Sequence, residues 1–250
     1  MNEQELLQKR LLDLSRQAEM KGIVTFSDFL NLSEQNIYHS MSKNLYTATK
    51  VFGGYESAER QMVAFIPDAL SYEWDFPIRC LNLEPQYPKF AEKLSHRDVL
   101  GAMMNLGIER RKLGDIVAKE KHFYVFCEEN IGKVIEEQLQ KVKHTLISVH
   151  SVSNWENFHI TPEFEVIHEL IASNRIDCII ARAYHFSRSE ASEWLLSEKV
   201  FMNGKCITNC NQSVSSGDII SVRGRGRFIF ETGDSVSKKG KLRITIKKYI

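Results

Sequence analysis

No run of eighteen apolar residues occurs in the 250-residue chain, which leaves no segment suited to cross a membrane as a helix. The stretch MNEQELLQKRLLDLSRQAEM is polar and charged, without the apolar core and small-residue cleavage site of a secretory signal. Cysteine is sparse: Cys80, Cys127, Cys178, Cys206 and Cys210 are odd in number and form no CxxC pair. That pattern points to a reducing cytoplasm and away from disulfides and zinc. The eight histidines show no HExxH or comparable ligand spacing. No glycine-rich phosphate loop, nucleophile–base pair, internal repeat or low-complexity tract stands out. The expectation is a chain with no cofactor, no metal, no catalytic residue and no small-molecule substrate, monomeric by itself.

Two strings imitate catalytic motifs. His96-Arg97-Asp98 matches the start of the protein-kinase catalytic loop, but that loop needs Asn five positions after the Asp, where Met103 stands. The string reads instead as a helix start with favourable first-turn charge behind Ser95. Met41-Ser42-Lys43 resembles a synthetase fragment without its partner motif.

What the chain does have is charge asymmetry. Its apolar content of 43% and charged content of 26% are ordinary for a globular protein. Its net charge of +1 hides a C-terminal part, residues 171–250, at +7 against −6 for the rest. A basic terminal third is the footprint of a polyanion-binding module.

Periodicity sets out three regions of an α+β chain. Residues 1–77 read as mostly helical: Leu7, Leu11, Leu14 and Ala18 mark an amphipathic helix over 2–20, and Ser33 suits the cap of a second helix running to about Lys50. Gly53-Gly54 is a turn, and 61–66 (QMVAFI) a strand or short apolar segment. Residues 78–151 give strand (78–83), helix from Ser95, strands at 115–119 and 122–127, helix (128–142) and strand (145–150). That βαββαβ order is the ferredoxin-like arrangement, shared by RNA recognition motifs and by many enzymes. Tyr124 and Phe126 are candidates for base stacking on its sheet, with core packing as the competing use. Residues 152–173 read as an acidic linker, ambiguous around 164–171.

From 174 the pattern changes. Ile176, Ile179, Ile180 and Ala183 form one face of a short helix. Ser187 and Glu190 have capping-box spacing for a second helix, whose start carries Arg188 between Ser187 and Ser189. Backbone N–H groups, the helix dipole and a guanidinium would converge there on a phosphate. Asn203-Gly204 between apolar residues signals a hairpin, with Lys199 before it and Lys205 after it. Arg223, Arg225 and Arg227 alternate and would point one way on an extended segment. Lys238, Lys239, Lys241, Arg243, Lys247 and Lys248 follow. Arg175 has a competing use, pairing with Asp177 or Glu190.

The ordered strings R-I-D, S-R-S-E-A, K-V-x-x-N-G-K and G-D-x-I-x-V resemble the S-four-type RNA-binding domain, here 174–250 with its basic extension. The resemblance places the RNA face on Arg175, Ser187, Arg188, Ser189, Lys199, Asn203 and Lys205. It departs at Glu198, where that family usually has a glycine able to end a helix in a left-handed turn. With F-S-D-F-L (26–30), G-G-Y-E-S-A-E-R (53–60) and H-R-D-V-L-G (96–101), the whole resembles the YlmH family of bacterial RNA-binding proteins. That resemblance implies a ribosome-associated binder of rRNA and tRNA, acting on large subunits obstructed by unreleased peptidyl-tRNA. Two other classes stay open. One is an RNA-modifying enzyme, either a pseudouridine synthase or an rRNA methyltransferase. The other is an interaction protein linked to cell division, docking through its acidic N-terminal helices.

Overall fold

The computed structural model describes residues 3–153, 164–236 and 240–249, with the backbone alone at 234–236. The chain forms two compact units, Met1–His159 and Ile160–Ile250.

The first unit begins with α1 (Glu3–Lys21), whose Leu11, Ser15 and Ala18 are buried, so the expected first helix is present. After β1 (Thr25–Phe26) comes α2 (Leu32–Met41). Its cap is Asn31 rather than Ser33. The Asn31 side chain accepts the N–H groups of Ser33 and Glu34, and Glu34 accepts the Asn31 N–H at 2.6 Å. This helix stops well short of Lys50, because β2 (Ala48–Phe52) contains the β-branched Thr49 and Val51 and pairs antiparallel with β3 (Met62–Ile66). The three strands make a sheet in the order β1-β3-β2. Residues 1–77 are therefore not mostly helical: two helices pack on a small sheet around Leu11, Leu30, Tyr38, Val63 and Phe65.

The middle residues follow the expected order: β4 (Ile78–Pro85), α3 (His96–Asn105), β5 (Leu113–Lys119), β6 (His122–Glu128), α4 (Glu129–Gln138), β7 (Lys141–Val142) and β8 (Thr145–Ser151). The sheet order is β5-β6-β4-β8-β7, antiparallel throughout, and without the short β7 it is the ferredoxin-like arrangement. Alternation decides its faces. Leu81, Leu83, Phe123 and Val125 point to the helices and meet Val99, Met103, Ile135 and Leu139. The kinase-like string is the start of α3, with Ser95 as cap, Asp98 completing a capping box, and Lys143 2.8 Å from the Asp98 carboxylate.

The opposite face is closed at its β5–β6 end by residues 53–60. Phe126 is 1% exposed and lies 5.1 Å, ring to ring, from Tyr55. Gly54, at φ +107°, leaves room for that ring, since a Cβ there would sit 2.2 Å from it. The Asp115 carboxylate accepts the Tyr55 hydroxyl (2.7 Å) and the N–H groups of Glu59 and Arg60. The Arg60 guanidinium donates to the carbonyls of Leu113 (2.9 Å) and Phe29 (2.8 Å). Burial lowers the pKa of Arg60, and burial with like-charged Arg60 alongside brings Arg110 down to about 10. Phe126 is thus core, not a stacking platform. Tyr124, half-buried, is the member of that pair still reaching the surface.

The second unit starts earlier than expected. β9 (Phe164–Ile171), inside the supposed linker, is an edge strand paired along its whole length with β14 (Leu242–Tyr249). Its exposure alternates weakly, and only Ile171 is fully buried, so no clean period marks it. Between them lie α5 (Ile176–Tyr184), α6 (Arg188–Leu196), β10 (Val200–Met202), β11 (Lys205–Cys206), β12 (Ile219–Val222) and β13 (Gly226–Val236). The sheet runs β11-β10-β12-β13-β14-β9. Both helices pack on one face of it: Ile176, Ile179, Ile180, Ala183, Ala191 and Leu195 meet Val200, Ile220, Phe228, Phe230 and Ile244. Burying each of these large side chains contributes roughly 1.5–3 kcal/mol. Among the described residues no helix is long and apolar enough to cross a membrane.

Candidate nucleic-acid interface

The site is built around the two ends of α6. At its start Ser187 is the cap: the Glu190 N–H donates to Ser187 Oγ (3.2 Å), and the Ser187 N–H donates to the Glu190 carboxylate (2.7 Å). Those bonds hold the Glu190 pKa low. Ser189 Oγ lies 3.0 Å from Ser187 Oγ. Arg188 occupies the first helical position and is exposed, beside a helix start whose dipole favours anions. Arg182, His185, Arg188 and Lys241 border a cleft of about 470 Å³ there.

At the other end Glu198 has φ +57°. The Lys199 N–H donates to the Trp194 carbonyl and the Glu198 N–H to that of Leu195, the paired bonds of a Schellman turn. Glu198 therefore occupies the left-handed conformation for which a glycine is suited, and an L-residue held there costs on the order of 1 kcal/mol. The turn sends Lys199 back over Trp194, its Nζ 5.0 Å from the ring centre. His185 ends α5 in the same left-handed way, at φ 56°, and presents Phe186.

These two turns assemble a row of rings. Phe186 stacks with both Tyr184 and Trp194, each at 5.6 Å, the Phe186–Trp194 planes within 2°. Arg225 lies over both Phe186 (5.5 Å) and Trp194 (5.6 Å), and Lys248 lies over Tyr184 at 5.1 Å. Tyr184 donates to the Gly226 carbonyl, and burial raises its pKa. The result is a strip of aromatic faces and cations across the helix and the β12–β13 turn, the combination that holds nucleic-acid backbones and bases.

Residues 3–70 match a family model described as "YlmH, N-terminal", and residues 72–156 match one described as "Putative RNA-binding domain in YlmH". A Bacillus subtilis protein named "Ribosome-associated protein quality control protein P2" is 26% identical over 241 residues, covering 95% of this chain and 92% of that protein. The chain belongs to the YlmH family. A solved structure, "Cell division protein ylmH from Streptococcus pneumoniae", superposes with a TM-score of 0.51 at 21% identity, over 63% of this chain and 95% of that one, and supports the α+β fold.

In this YlmH-family chain the residues singled out from sequence separate into two groups. Arg188, Lys199 and Lys205 are exposed, and among the described residues none has a carboxylate partner. Arg175 instead grips Asp177 with two bonds, at 3.1 and 2.6 Å. The Asn203 amide is engaged at both ends, donating to Asp218 (2.8 Å) and accepting the Ile219 N–H (2.9 Å), so it braces the Asn-Gly turn. The arginines at 223, 225 and 227 do not share a face. Positive φ at Gly224 and Gly226 makes 223–225 the hairpin turn, leaving Arg225 on the ring strip and Arg227 4.2 Å from the Tyr249 ring. Lys241 borders the cleft, while Lys238 and Lys239 lie outside the described residues. Sequence reading missed Phe186 and Trp194. The signal was an aromatic directly before a cap, with another on the same helix face beyond it.

Proposed function

We propose that this protein binds structured RNA on the ribosome, rRNA and tRNA at the large subunit, in the quality control of obstructed translation, and that it acts by binding rather than catalysis. The observation that carries this reading is the set of exposed cations that have no carboxylate partner among the described residues, Arg188, Lys199, Lys205 and Arg225, placed around α6 and the ring strip. The name of the Bacillus subtilis relative supports the ribosomal setting. We read the C-terminal unit as an S-four-type domain, with the start of α6 and the ring strip meeting phosphates. Such contacts position a protein without reading sequence, so RNA shape supplies specificity.

The test is co-sedimentation of full-length protein with ribosomes at low salt. The double variant Arg188→Glu, Lys205→Glu is expected to leave the pellet, and its residual binding to depend less steeply on salt. Unchanged co-sedimentation would exclude this face. The non-enzymatic part is checked by mapping rRNA modifications with and without the gene: a modification lost on deletion and restored by purified protein would overturn it.

A further inference from the structure

In the first unit the sheet face is ill suited to RNA. Bases normally stack on that face in RNA-recognition folds. Here Phe126 is covered by Tyr55, and Glu84 places a carboxylate on the remaining surface, 3.4 Å from His122 and 3.6 Å from His150. A phosphate backbone would meet negative charge there.

The connection from β4 to α3, residues 86–95, is different. Phe90 is 88% exposed and Tyr87 62%. Lys89 and Lys93 are interleaved with them and are also exposed. The loop is held firmly in place. Gln86 N–H donates to the Leu146 carbonyl (3.0 Å), Phe90 N–H to that of Tyr87 (3.0 Å), and the Glu92 carboxylate accepts the His144 N–H (2.9 Å). Lys121, at the tip of the β5–β6 hairpin, donates to the Pro88 carbonyl at 3.2 Å, which brings a third lysine against the loop. Two large rings thus project into water from a bonded loop that also carries Lys89 and Lys93.

We propose that this loop and hairpin tip contact single-stranded RNA, with Tyr87 and Phe90 stacking on bases and Lys89, Lys93 and Lys121 meeting phosphates. The composition favours RNA over a protein partner, because lysine is depleted from the cores of protein interfaces, whereas single strands are held by rings interleaved with cations. The proposal rests on the reading of the chain as an RNA binder and adds a site that the C-terminal unit does not provide.

The experiment uses full-length protein carrying Arg188→Glu and Lys205→Glu, so that the C-terminal face is weakened, and a fluorescein-labelled mixed-sequence RNA of about 12 nucleotides. That variant is expected to retain measurable binding, and adding Tyr87→Ala with Phe90→Ala is expected to weaken it at least about tenfold. The exchange Tyr87→Phe with Phe90→Tyr keeps both rings and should keep binding, which separates stacking from folding. Ultraviolet crosslinking of the wild-type protein to the same RNA should mark Tyr87 or Phe90. No oligonucleotide binding in the Arg188/Lys205 variant, no effect of removing the rings, or a crosslink elsewhere in the first unit would overturn the proposal. So would unchanged oligonucleotide binding together with lost ribosome co-sedimentation when Tyr87→Ala and Phe90→Ala are placed in the otherwise wild-type protein, which would make the loop a protein contact. Failure of the C-terminal face is seen separately, as Arg188→Glu, Lys205→Glu protein that still pellets with ribosomes.

Discussion

Two sets of cations, one in each unit, are used in opposite ways. In the first, Arg60 is turned inward onto main-chain carbonyls, and Lys112 and Arg10 lie within 3.0 and 2.9 Å of Asp28. In the second, Arg188 and Lys205 face solvent, while Arg225 and Lys199 lie over rings. Net charge alone does not separate these uses. A cation bonded to carbonyls is part of the fold, because removing it leaves desolvated acceptors. A cation resting on an aromatic face keeps its N–H donors available to a phosphate.

A matched pair of substitutions is the strongest way to break that contrast. Arg60→Ala should cost about 3 kcal/mol of stability, lowering the melting temperature of its unit by roughly 6–12 °C. Arg225→Ala should leave melting nearly unchanged, within about 0.5 kcal/mol, while weakening ribosome binding about fivefold. Calorimetry and co-sedimentation of both variants check this, and an Arg225→Ala protein that melts early with normal binding would erase the distinction. A smaller effect is expected at the helix end. Glu198→Gly relieves the left-handed strain and should add about 1 kcal/mol of stability, less the entropy gained by the unfolded chain, and it removes a negative charge near Lys199. A rise in melting temperature together with tighter RNA binding would sharpen the view of this turn as the junction of fold and site.

The smallest effect concerns pH in the first unit. The bonds from Lys143 and Ser95 hold the Asp98 carboxyl down at about 2. Its folded pKa lies below the usual carboxylate value of about 4, so its contribution is present above that pH and is lost as pH falls toward about 2. Asp98→Asn should therefore flatten the acid limb of a melting-temperature profile between about pH 4 and 2. An unaltered acid limb would mean that Lys143 makes no effective pair in solution.

The parts of the fold legible in sequence were those decided locally. Ser95 and Ser187 cap their helices because capping needs only a hydroxyl and an acidic residue three positions on. The βαββαβ order could be read because its strands alternate and its helices carry stripes. Where two local signals overlapped, the reading slipped: Asn31 and Ser33 both suit a cap, and Asn31 holds it. β2 was hidden as the tail of a helix, and β9 as a linker, because their stability comes from strands distant in sequence. The site followed the same rule. The exposed Arg188, Lys199 and Lys205 come from motif positions, whereas the ring strip joins residues 184, 186, 194 and 225, which no single period links. Asn203 looked available because its turn was visible in sequence and Asp218 was not visible as its partner.

Arg225 shows what such a strip does for recognition. A free arginine side chain gives up about 1.5–2 kcal/mol of rotamer entropy when it is fixed. Lying across Phe186 and Trp194, Arg225 has given up part of that freedom while the protein is alone. Under the proposed reading an incoming phosphate would meet a donor already aimed, and the ordering cost would fall on folding rather than on association.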